Sequence, residues 1–317
     1  MLYPTWNLQS TKLAEKNQDV EKEINRMNAF VQESSLREMK HDKSVSPIVF
    51  VHIPKTGGMT FYSMIREIYK PSELHKINPA AESVEKYISL SQTRKDGLKV
   101  IYGHMDYGLR ELLPSNSAYV TLMRHPVERV ISHYYYVRRT ENDPLRELAM
   151  NSSLYDWVAH CNLEEMENGQ TRRLSGVAEG IGFGECSAEV LAQAKTNVAR
   201  NFALVGITER YDEAYVLMSK MFGWPIKNYP SINVAKWKPE QSEIPARTLR
   251  LIEKFNALDI ELYDHATRLF DEKIAQVDIR YEMRLLEERR RRGYLYWRDA
   301  ATQYLERKAR ILTPFWK

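Results

Sequence analysis

Residues 48–60 read Ile48-Val49-Phe50-Val51-His52-Ile53-Pro54-Lys55-Thr56-Gly57-Gly58-Met59-Thr60. The first six are apolar apart from His52 and rich in β-branched and aromatic side chains, which predicts a short strand buried on both faces. A glycine pair then turns the chain. Beyond it Met59, Phe61, Met64, Ile65 and Ile68 recur at helical spacing up to Tyr69, and Pro71 stops the helix. Strand, glycine turn and helix in that order open a parallel βαβ unit.

Working outward, further strands are predicted at Leu98 to Tyr102, Ala118 to Met123 and Phe202 to Ile207. Helices are predicted over Pro126 to Arg139, Ser187 to Val198 and Asp212 to Phe222, then from Ala246 to Asp271 and through the charged stretch Tyr281 to Lys308. The polar, glycine-bearing segment Asn162 to Glu185 reads as a loop. Strands alternating with helices predict an α/β fold, a three-layer sandwich around a mainly parallel sheet. No internal repeat or low-complexity tract divides the chain, so the organisation reads as residues 1–46, a helical lead-in; 47–275, a catalytic domain; and 276–317, a charged helical extension.

Composition narrows the function classes. The 317 residues, 43% of them hydrophobic, suffice for a full core. Lys and Arg number 46 against 42 Asp and Glu, a net charge of only +4 that gives no reason to expect a nucleic acid partner. No run approaches the roughly 18 apolar residues that span a bilayer, and the start lacks a basic region followed by an apolar core, so the expectation is an untargeted cytoplasmic protein without a membrane span. The two cysteines, Cys161 and Cys186, form no CxxC pair and have no companion histidine spacing, which predicts reduced thiols and no metal.

The turn after the first strand carries the chemistry. Gly57 and Gly58 let the backbone curl closely round an anion while the N–H groups of the next helix point at it. Lys55 adds a full charge, Thr56 and Thr60 add hydroxyl donors, and Met59 offers only its backbone N–H. A P-loop nucleoside triphosphatase needs its Lys after the glycines and a hydroxyl on magnesium. Here the Lys comes first. A second candidate anion receptor is Arg124 at the end of the strand Ala118 to Met123, with Ser132 about two turns into the helix that Pro126 opens. For a proton acceptor the choice among eight histidines falls on His104 in Tyr102-Gly103-His104-Met105-Asp106, at the carboxyl end of a predicted strand where open α/β sheets bind ligands. His52 and His133 are the alternatives. Arg129 reads as paired with a neighbouring carboxylate, and Tyr134 to Tyr136 as packing against the sheet.

His52-Ile53-Pro54-Lys55-Thr56-Gly57-Gly58 resembles the 5′-phosphosulfate loop of the sulfotransferase family that includes the heparan sulfate 2-O- and 6-O-sulfotransferases and bacterial relatives. Arg124-His125-Pro126-Val127-Glu128-Arg129-Val130-Ile131-Ser132 is similar to that family's 3′-phosphate site, an Arg-x-Pro-x-x-Arg-x-x-Ser pattern met at every position. The resemblance runs from about Pro47 to Phe222 and implies a P-loop-like sulfotransferase fold using 3′-phosphoadenosine-5′-phosphosulfate (PAPS), released as PAP, with no metal. It further implies Lys55, Thr56, Gly57, Gly58, Met59, Thr60, Arg124 and Ser132 as donor ligands, and His104 as base with Lys55 on the leaving oxygen. Lys236 sits where relatives close a basic loop over the nucleotide, and Asn168 to Gly176 resembles a loop near the acceptor. The expected acceptor is a small-molecule metabolite hydroxyl first and a saccharide second. The competing readings are a non-catalytic nucleotide- or partner-binding protein on the same fold and a magnesium-dependent phosphoryl transferase.

Overall fold

The computed structural model describes residues 47–78, 81–229 and 241–292. The predicted lead-in before residue 47 and Lys236 lie outside these residues.

Five strands form one sheet: β1 (Ile48–Val51), β2 (Leu74–Lys76), β3 (Val100–Gly103), β4 (Ala118–Met123) and β5 (Phe202–Ile207), in the spatial order β2-β3-β1-β4-β5. Every pairing is parallel, with Ile48 opposite both Val100 and Ala118. The apolar run Ile48–Val51 is wholly buried because helices cover both faces, as an all-parallel sheet requires. Four of the strands are those read from the sequence. The edge strand β2 escaped notice because three residues, Leu74-His75-Lys76, are too short to show an alternation.

Between the strands lie α1 (Gly58–Ile68), α2 (Ala81–Ile88), α3 (Gln92–Asp96), α4 (Pro126–Arg139), α5 (Arg146–Asn151), α6 (Leu154–His160), α7 (Gly169–Ser175) and α8 (Ala188–Arg200). After β5 come α9 (Tyr211–Phe222), α10 (Ala246–Phe255) and α11 (Ala257–Gln276). Residues 280–292 form a further helix, α12, whose Leu286 is buried in the main core although its charge had set this segment apart in the sequence. The stretch Asn162 to Glu185, read above as a loop, contains the buried helix α7. Its polar residues are satisfied internally: the carboxylate of Asp259 on α11 accepts from the backbone N–H groups of Gln170 (3.1 Å) and Thr171 (2.6 Å), capping the helix start. Hydrophobic periodicity cannot reveal such an element.

The topology fixes where a ligand can sit. The chain leaves β1 toward the β2 edge but leaves β4, its neighbour, toward the β5 edge. Right-handed crossovers therefore lie on opposite faces of the sheet, and the carboxyl ends of β1 and β4 flank the crevice at the switch point.

Candidate active site

The loop after β1 opens that crevice. Lys55 (φ 70°) and Gly57 (φ 87°) both take the left-handed conformation, curling residues 54–58 round a common centre. For Lys55, a non-glycine, this is a costly backbone state held by its surroundings, of the kind that gathers at functional sites. Gly57 is also the N-cap of α1 and supplies no side-chain cap, and Gly58, Met59 and Thr60 of the first turn line the cavity. Gly58 is glycine for a different reason: a Cβ there would stand 2.0 Å from Nε2 of His52. One expectation needs correcting. Thr56 is fully buried and its hydroxyl donates to the Ile53 carbonyl (2.9 Å), so its side chain braces the loop and is not a donor to a ligand.

A single cavity of about 1300 Å³ gathers Lys55, Gly57, Gly58, Met59, Thr60, His104, Arg124 and Ser132, all predicted from sequence. Arg124 is steadied at its rim. Its guanidinium donates to the Lys55 carbonyl (3.2 Å) and lies 3.5 Å from Glu128 and 3.9 Å from Glu209. Its peptide is gripped from α7 by Gln170, whose amide oxygen accepts from the Arg124 N–H (3.0 Å) and whose NH₂ donates to the Arg124 carbonyl (2.8 Å). Lys55 places its ammonium 3.7 Å from the centroid of the Tyr136 ring, a cation–π contact. Burial, with Arg139 and Arg124 nearby, brings its pKa down to about 8. Tyr136 thus belongs to the cavity wall and not only to the packing of the sheet.

His104 follows β3 and stacks on His52, ring centroids 4.2 Å apart. Its Nδ1 lies 3.1 Å from the His52 carbonyl oxygen. A carbonyl can only accept, so Nδ1 carries the proton and Nε2 is the basic nitrogen of a ring lining the cavity. Burial and the Arg173 cation hold its pKa below the ordinary imidazole value, keeping it neutral. His52 is lowered further, by burial and by His104, and His133 on α4 comes down to about 4 through burial.

The structure adds residues the sequence did not single out. Tyr211 and Tyr229 (ring centroids 5.3 Å apart) line the cavity with Met283 and Arg290 of α12, and the Tyr211 ring lies against the Gly57 turn. Arg290 is pinned there by Asp212, with two contacts of 2.5 Å. These residues come from segments distant in sequence and carry no local motif. Among the described residues no cluster of His, Cys, Asp or Glu is arranged to hold a metal ion, and no helix is long and apolar enough to cross a membrane.

A cationic, glycine-curled loop at a parallel sheet's switch point, with a second cation at the strand end on one side and a neutral imidazole at the strand end on the other, is the arrangement of an α/β group transferase. The galactose-3-O-sulfotransferase family model matches residues 29–297, and the chain belongs to that family. It is 24% identical to the heparin sulfate O-sulfotransferase of Drosophila melanogaster over 76% of this chain and 78% of the relative. Heparan-sulfate 6-O-sulfotransferase 2 of Danio rerio is 28% identical over 73% of this chain and 59% of the relative. Human galactose-3-O-sulfotransferase 3 is 29% identical over 58% of this chain and 45% of the relative, so the chain spans less than two thirds of the last two. A solved mouse sulfotransferase complexed with PAP superposes with a TM-score of 0.35 at 15% identity, covering 77% of this chain and 88% of that one.

Proposed function

We propose that the chain transfers a sulfuryl group from PAPS to a saccharide hydroxyl. The observation that carries this is the convergence of two separated anion receptors, the Lys55 loop and Arg124 with Ser132, on one cavity that also presents Nε2 of His104. A donor bearing both a 5′-phosphosulfate and a 3′-phosphate needs two such receptors, whereas a nucleoside triphosphate needs one extended cradle. The saccharide takes precedence over the small metabolite favoured from sequence because the relatives are named for sulfating heparan sulfate and galactose.

In this reading the N–H groups at the start of α1 hold the 5′-phosphate and Arg124 and Ser132 hold the 3′-phosphate. Nε2 of His104 takes the proton from the acceptor hydroxyl as its oxygen bonds to sulfur. The bond from sulfur to the bridging oxygen breaks in line, and Lys55 meets the negative charge that develops on that oxygen. The sulfuryl group leaves as a sulfate ester on the acceptor, and PAP is the other product.

Calorimetric titration with PAP, AMP and ATP without magnesium tests the donor assignment. PAP should bind far more tightly than AMP, and Arg124→Ala should abolish that preference; equal binding of PAP and AMP would remove the basis for the donor. Transfer of label from PAPS to desulfated heparin and to a galactose-terminated oligosaccharide tests the acceptor class, and His104→Gln should reduce it by about two orders of magnitude or more.

A further inference from the structure

His104 stands in a stretch with little regular structure to hold it. The strand β3 ends at Gly103, and a short 3₁₀ helix begins only at Tyr107. Across this gap Arg173 reaches from α7. Its NH1 donates to the His104 carbonyl (3.0 Å) and to Asp106 (3.0 Å), and its NH2 donates to Glu165 (2.9 Å). The other oxygen of Glu165 accepts from Arg129 (2.6 Å), a fully buried side chain that also lies 3.8 Å from Asp259. Asp259 in turn caps α7, so the helix that presents Arg173 and the carboxylate that anchors it are tied to the same buried charge network.

Resting on the reading of His104 as the base, we infer that Arg173 is its positioning residue, one guanidinium fixing both the main chain at His104 and the Asp106 side chain against the Glu165 anchor. Arg173 lines the cavity, yet its charge is matched by Glu165 and Asp106 and its side chain is only 12% exposed. It is therefore committed to holding the segment and not to gripping an anionic acceptor. The charged and titratable groups around His104 are His52 and Lys55 from the β1 end, Lys76 on β2, Arg173 on α7, Glu165 just before α7, and Asp106 on its own segment. Of the side chains acting on His104, Arg173 has the strongest influence and Glu165 opposes it more weakly. The cation that fixes the main chain at His104 therefore also disfavours the imidazolium.

The test uses the full chain. Imidazole Cε1–H resonances are titrated by NMR in the wild type, Arg173→Lys and the double variant Arg173→Met with Glu165→Gln, with His104→Gln assigning the peak. The double variant removes both charges, so no buried carboxylate is orphaned, and the glutamine can still accept from Arg129. It should move the His104 midpoint upward and carry the acid limb of kcat/KM for transfer to desulfated heparin to higher pH, with PAP affinity within about threefold of wild type. Arg173→Lys keeps the charge but loses the fork. It should leave the midpoint in place and lower kcat about tenfold or more at unchanged KM for PAPS. An unmoved midpoint in the double variant, or wild-type kcat in Arg173→Lys, overturns the inference. If the double variant does not fold, Arg173→Lys alone decides. Failure of the base reading shows itself separately, as His104→Gln transferring at the wild-type rate.

Discussion

Raising the pH above 8 should strip the cavity of the Lys55 ammonium, which the proposed function sets against the donor. Burial, reinforced by Arg139 and Arg124, sets its pKa at about 8 in the free protein. A bound phosphate would restore it toward the ordinary lysine value of about 10.4. The ligand-competent ammonium fraction then falls from roughly three quarters at pH 7.5 to roughly 3% at pH 9.5, so PAP should bind about 20-fold more weakly at the higher pH, ~1.8 kcal/mol. Over this range the phosphates are already fully ionised, and burial pushes the phenol of Tyr211 upward, out of the window. Calorimetry at pH 7.5, 8.5 and 9.5 measures the affinity, and repeating pH 9 in buffers of different ionisation enthalpy should reveal uptake of nearly one proton per PAP. Lys55→Arg cannot lose its charge in this range. Its affinity should be nearly flat with pH. Equal pH dependence in the two proteins, or none in the wild type, would refute the argument.

Three further outcomes follow from the geometry. His133 titrates near 4 when folded against about 6.5 unfolded, so the unfolded chain binds the extra proton between those values and stability falls as pH drops through them. Chemical denaturation at pH 7 and 4.5 should show His133→Gln losing about 2 kcal/mol less than wild type, and equal losses would contradict the assignment. Gly58→Ala would drive a methyl into the His52 ring, itself packed against Phe50 and His104, at a cost of about 2 kcal/mol or more and with loss of PAP binding; a variant of wild-type stability would show that the ring can move aside. Gln170→Glu can accept from the Arg124 N–H but cannot donate to its carbonyl, and the orphaned group should cost about 2 kcal/mol in denaturation and weaken PAP binding, whereas unchanged values for both would remove Gln170 from the support of Arg124.

The parts legible in the sequence were those with a local signature. The run Ile48–Val51 declares a doubly buried strand by its composition, and Lys55, Gly57 and Gly58 declare an anion loop by their order. Arg124 and His104, which both line the cavity, were picked out because a strand end is readable, its carboxyl edge is where such sheets bind, and both fit the family's pattern. What stayed hidden is held by pairings between distant residues. The amide clamp of Gln170 on Arg124, the reach of Arg173 to His104 and the ring of Tyr136 under Lys55 each join segments 46, 69 and 81 residues apart. Thr56 was misread for the opposite reason: a hydroxyl beside a phosphate-type loop looks like a ligand donor, and only the fold shows it turned inward to Ile53. The helix α7 was missed because its buried face is polar, stabilised by Asp259 and not by an apolar stripe.

The rings of Phe61, Phe50, His52 and His104 follow one another with centroid separations of 3.8, 5.8 and 4.2 Å, running from the helix α1 through the sheet's end to the cavity. A designer who repacked Phe61 and Phe50 for stability would therefore also be changing the surface on which His52 and, beyond it, the imidazole of the proposed base rest.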